Sequence, residues 1–176
     1  VAELIQQRLE PTLALALVTL TIAVLVAVPL GVVAAYRHGT WIDRLTMGFS
    51  VMGFSVPVFV IGYLLIYIFA VRLQWLPVQG YTRIAEGFFP FIERLILPAV
   101  TLSVIYIALI ARITRASVLE VLGEDYIRTA RAKGLEERRV LIRHGLRNAA
   151  VPLVSVIGIC FALVLGGVVV TESVYA

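Results

Sequence analysis

Charged residues are spaced unevenly along the chain, and the gaps between them predict its architecture. Residues 11–36, 45–71, 95–111 and 148–171 hold no Asp, Glu, Lys, Arg or His. These runs are 26, 27, 17 and 24 residues long, and a helix needs about 20 to cross a hydrocarbon core ~30 Å thick. The third is the shortest, but Arg94 and Arg112 at its edges can reach outward along their aliphatic stems, giving a span of about 95–113. One such run can be a buried core helix. Four cannot be hidden inside a domain of 176 residues. The pattern predicts an all-α, polytopic transmembrane helix bundle in one domain, with an outer loop at 72–94 and a cytoplasmic loop at 114–147.

Composition points the same way. Hydrophobic residues make up 61% and charged residues 15%, with a mean hydropathy of +1.00, against about 45–50% apolar in soluble domains. The first run is too long for a secretory signal and has no basic segment before it.

Basic residues orient the bundle. The turn after the first run and the long loop from Arg112 to Arg147 together carry eleven Lys or Arg, against four on the other side. The two basic loops therefore face the cytoplasm and both chain ends the outer side. The chain starts at Val1 and stops just past the last run, which leads us to expect truncation at both ends. Cys160, the single cysteine, falls in mid-span, where it reads as a small buried hydrophobe.

The spans contain Pro29, Pro57, Pro98 and Pro152 and several glycines. Small residues serve close helix packing, while broken helices line gated pathways. Thr46, Ser50, Ser55, Thr101, Ser103 and Ser155 can face a polar route or bond back to their own helices. Asp, Glu, Lys, Arg and His, which ion-driven carriers use at membrane depth, are missing from all four runs. No P-loop is present either, because the one lysine, Lys133, sits in Ala-Lys-Gly-Leu. The energy for any transport therefore has to come from a separate chain.

The cytoplasmic loop is the most informative segment. Glu124 and Asp125 open a helix, Arg131 and Lys133 close it, and Gly134 follows as a left-handed cap. Glu136 and Glu137 then open a second helix toward the fourth span. Tyr126, Ala130 and Gly134 recur at four-residue spacing with Ile127 beside them, which predicts a shallow docking notch rimmed by arginines. Such a face suits a protein groove or an anionic lipid surface. The small residues and the glycine end favour the groove.

The run from Asp125 through Leu135, followed by Arg138-Arg139-Val140-Leu141-Ile142-Arg143-His144-Gly145-Leu146-Arg147-Asn148-Ala149 and Pro152, resembles the cytoplasmic loop of bacterial binding-protein-dependent ABC transporter permeases. It is most similar to the dipeptide/oligopeptide/nickel branch. Ser55-Val56-Pro57, Trp75-Leu76-Pro77, Leu97-Pro98-Ala99 and Thr171-Glu172-Ser173-Val174-Tyr175-Ala176 extend the resemblance over almost the whole chain. In the family motif E-A-A-x3-G, Ala130 matches the second alanine and Gly134 the glycine, whereas Arg128 and Thr129 replace the first two residues.

The resemblance implies a type I ABC importer permease fold in a bacterial or archaeal plasma (inner) membrane. It implies that Tyr126, Ile127, Ala130, Arg131, Ala132, Lys133, Gly134 and Leu135 form a coupling helix entering a cleft on an ATPase. The partners it implies are ATPase subunits, a second related permease, an external substrate-binding protein and membrane lipid, with no nucleic acid. The chain itself is then no enzyme and holds no catalytic, cofactor or metal residue, since ATP and Mg²⁺ belong to the ATPase. An ion-coupled carrier and a membrane scaffold are the alternatives. The carrier is disfavoured by the charge-free spans, and an enzyme by having only His38 and His144, both in basic turns.

Overall fold

The structure is a computed structural model; it describes residues 2–77 and 87–175, with side chains from 10 onward except those of 88 and 167–175. Helix α1 (Ala2–Tyr36) leads through a turn at 37–40 into α2 (Trp41–Ser55). Helix α3 (Val58–Leu65) widens into π-helical turns over Ile66–Arg72. Then come α4 (Phe88–Leu122), α5 (Asp125–Ala132) and the single turn α6 (Glu137–Arg139). Further π-helical turns, Val140–Leu146, run into α7 (Arg147–Tyr175). Residues 78–86 of the outer loop expected at 72–94 lie outside the described residues.

Helix α4 is the centre. It packs chiefly along α1 and also against α7, α2 and α3. Its apolar window is 61% buried, against 33% for α1 and 22% for α7. The α1–α4 seam is built from small residues: Ala16, Ala23 and Ala27 are fully buried against a cluster that includes Ala99, Leu102, Ile107 and Ala111. Close backbone approach is how helices gain contact energy in lipid, where there is no hydrophobic drive between them. At Gly31 the approach is closest, since a Cβ there would lie 2.5 Å from Thr114 Cβ and 2.7 Å from the Ala111 carbonyl oxygen. Gly53 plays the same part for α2, with a Cβ 2.8 Å from Ala108 Cβ. At these two sites glycine serves packing.

Among the described residues, three helices are long and apolar enough to span a membrane: Glu10–Tyr36, Phe89–Leu122 and Glu137–Gly166. The run expected as the second span is a broken pair, Trp41–Ser55 and Val58–Arg72, bent by 101°, which makes a fourth candidate span when the two helices are counted as one. Proline explains the break. Its ring drives the preceding residue out of the helical region, and Val56 is extended at φ −92°, ψ 122°. Pro29, Pro98 and Pro152 lie within continuous helices.

Helix α4 also runs past the expected membrane edge to Leu122, because Thr114 and Val118 are fully buried beyond Arg112. The hydroxyls left open in the sequence bond back to their own helices: Thr46 to Ile42, Ser50 to Thr46, Ser55 to Val51, Thr101 to Leu97, Ser103 to Val100 and Ser155 to Val151.

Candidate functional site

The long helix α4 ends at Leu122, and only Gly123 and Glu124 separate it from α5. Helix α5 carries Asp125 in its first turn and Arg131 in its last, matching charge to the helix dipole at both ends. It stops where the sequence places the stop. Gly134 adopts φ +77°, the Gly134 amide donates to the Arg131 carbonyl at 2.9 Å, and the Leu135 amide donates to the Ala130 carbonyl at 3.3 Å. These two bonds are a Schellman cap, which needs a left-handed residue that glycine supplies without strain.

The helix has two distinct sides. Ile127 (0% exposed) and Ala130 (7%) face inward and pack with Val140, Leu135, Val121 and Leu122. Tyr126, Arg131, Ala132, Lys133 and Gly134 are exposed, as are Arg128 and Thr129. The expected notch is therefore corrected: Ala130 lies on the underside with Ile127, and Leu135 is half-buried beside them. The three-residue step from Ile127 to Ala130 defines the apolar stripe. The surface open to another molecule consists of Tyr126, Thr129, the 131–134 stretch and Arg128, and nothing stands within 4 Å of a Cβ placed on Gly134.

Three fastenings hold α5 in place. The apolar underside is one. At the N-terminal end, Asn148 Nδ2 on α7 donates to the Tyr126 hydroxyl at 3.0 Å and to the His144 carbonyl at 2.9 Å. At the C-terminal end, Arg131 forms a two-pronged pair with Glu137 across the glycine turn, at 3.1 and 2.7 Å. Those hydrogen bonds hold the Arg131 guanidinium above its ordinary value. The Arg128–Asp125 pair, 3.2 Å apart and largely exposed, adds little. Asn148, the α7 anchor, was not foreseen as part of this site.

A second polar cluster sits nearby at the turn between α1 and α2. Asp43 is buried, and Arg115 of α4 grips both of its carboxylate oxygens, Nε on Oδ1 and Nη2 on Oδ2 at 2.8 Å. The Gly39 amide donates to Oδ2 at 2.9 Å, and His38 Nδ1 lies 3.2 Å from the same oxygen. Sequence reasoning passed over this cluster. The available signal was that Asp43 is the one acid between residues 11 and 85. Among the described residues, no three His, Cys, Asp or Glu side chains gather as a metal site requires.

A bundle of long apolar helices, with a polar helix mounted at the end of its central member, defines a multi-pass membrane protein. The chain belongs to the family described as binding-protein-dependent transport system inner membrane component, whose profile matches residues 27–176. It is 58% identical over 99% of its length to a probable peptide ABC transporter permease protein, y4tP, of Sinorhizobium fredii (strain NBRC 101917 / NGR234), covering 56% of that protein. It is 44% identical over 99% of its length to the glutathione transport system permease protein GsiC of Escherichia coli (strain K12), covering 55% of it. The chain thus spans about half the length of the curated relatives it matches. These likenesses agree with the peptide-type branch that the loop motif resembles.

Proposed function

We propose that this chain forms part of the translocation pathway in a permease subunit of an ATP-driven importer for peptides or similar small solutes. Its exposed α5 surface (Tyr126, Arg131, Ala132, Lys133 and Gly134) docks on a separate ATPase subunit, with Ile127, Ala130 and Leu135 as the base that makes the helix stiff. The observation that carries the reading is α5 itself: fastened on three sides, ended by a glycine with open space above it, and two residues from the central helix. A push on such an element moves α4 rather than bending the loop, because packed helices transmit displacement.

In this reading ATP and Mg²⁺ bind the ATPase alone, a second related permease completes the pathway, and an external binding protein delivers the solute. The names of the relatives, peptide and glutathione permeases, support the solute class. An ion-coupled carrier is disfavoured by the absence of Asp, Glu, Lys, Arg and His from the four apolar runs. The test is a cysteine at Ala132 in the full-length chain, assembled with the co-encoded ATPase bearing cysteines along its exposed clefts. A disulfide whose yield changes with ATP is expected. No crosslink from Ala132 or from Thr129 and Lys133 sinks the reading.

A further inference from the structure

We infer that Asp43 and Arg115 are positioning residues that make the α1–α2 turn move together with α4 and α5, giving the coupling motion a second outlet. The inference rests on the coupling role proposed for α5. Arg115 lies two helical turns before the end of α4, and α4 leads directly into α5. Asp43 is the third residue of α2. The two lie 72 positions apart in sequence, so the pair bridges elements that the chain itself connects only through a long detour.

The chemistry of the pair is that of a clamp. A guanidinium gripping both oxygens of a carboxylate fixes direction as well as distance. The Asp43 side chain is 5% exposed and the Arg115 side chain 19%, so solvent does little to screen them. The same carboxylate accepts the Gly39 amide, in a turn where Gly39 has φ +78°. It therefore shapes the turn and binds α4 with one group. Breaking the grip would leave a buried charge unpaired, which strongly opposes separation. A displacement of α4 thus carries the start of α2 with it. Helix α2 leads to the 101° bend before Pro57, so the clamp joins the coupling helix to the one broken pair of helices among the described residues.

The experiment uses the full-length chain assembled with its permease partner and ATPases in lipid nanodiscs. Spin labels go on Arg37→Cys in the turn and Glu120→Cys on α4, both exposed, and distances are read without nucleotide and with ATP trapped by vanadate. With the pair intact, a single distance unchanged between the two states is expected. In Asp43→Asn the distribution broadens or shifts with ATP, and the double exchange Asp43→Arg with Arg115→Asp narrows it again. Arg115→Lys keeps the charge and loses the two-pronged grip, and serves where Asp43→Asn does not assemble. A nucleotide-dependent distance in the intact protein overturns the inference. So does a variant whose distance stays single and unchanged. The Ala132 crosslink, run on the same sample, separates the two ideas: its absence removes the coupling role of α5, while its presence with a moving turn removes the clamp alone.

Discussion

Asn148, the second residue of α7, donates a hydrogen bond to the hydroxyl of Tyr126 on α5, 3.0 Å away. The contact ties the helix proposed to meet the ATPase to the foot of a membrane-crossing helix. Together with the Arg131–Glu137 pair it closes both ends of α5, leaving the outer side free for a partner.

Tyr126→Phe removes only the hydroxyl. The expected loss is about 1 kcal/mol of local stability, the net value of one such bond. Asn148→Ala should cost slightly more, because the His144 carbonyl also loses its donor. The double variant should cost less than the sum, since both changes remove the same bond. Hydrogen exchange of the α5 amides in the assembled transporter measures this; strictly additive effects would show that the contact is not formed.

The cap at Gly134 allows two effects to be separated. Gly134→Ala must place a Cβ residue at φ +77°, which costs about 1–2 kcal/mol. Gly134→Asn tolerates that conformation and leaves the helix end intact. Its side chain nonetheless stands in the open space where the ATPase is proposed to sit. The expected outcome is near-normal stability with uptake abolished, as in Gly134→Asp, while the subunit still inserts in the membrane. Normal uptake in the asparagine variant would remove the close approach from the proposal.

Ile127 anchors the underside. It is fully buried, and truncation of such a residue costs about 2–5 kcal/mol. Ile127→Ala should therefore loosen α5 while leaving the α1–α4 seam untouched, since the two clusters share no residue. Limited trypsin digestion should then cut at Arg131 or Lys133 under conditions that leave the parent protein whole. Equal resistance in both proteins would contradict the packing.

Much of this was legible in the residues, and the parts that were not share a cause. The apolar runs stand out because lipid demands long uncharged stretches, whatever their neighbours are. The stop at Gly134 was readable because a helix cap is local chemistry. The break at Pro57 was not separable from Pro29, Pro98 and Pro152, since whether a helix survives proline depends on the packing that replaces its lost hydrogen bond. Ala130 was assigned to the face of Tyr126 by its four-residue spacing, when the three-residue step from Ile127 places it on the buried side. Asp43 and Arg115 meet only through the tertiary fold, so neither residue advertises the other.

The Gly31 crossing offers the severest test of the fold. A methyl group there meets both the Thr114 side chain and the Ala111 carbonyl oxygen, at 2.5 and 2.7 Å. The first contact can be relieved by a second change, and the second cannot, because it is backbone. Gly31→Ala should therefore force α1 away from α4 and lower the yield of folded protein in the membrane. Adding Thr114→Gly should restore only part of that yield. Thr114→Gly alone carries its own penalty for glycine in a helix, about 1 kcal/mol. Folded yield is read by size-exclusion chromatography of the detergent-extracted full-length chain. Full recovery in the double variant would mean that the Ala111 carbonyl is not at the crossing, and a single change at Gly31 with no effect would mean that α1 and α4 do not meet there.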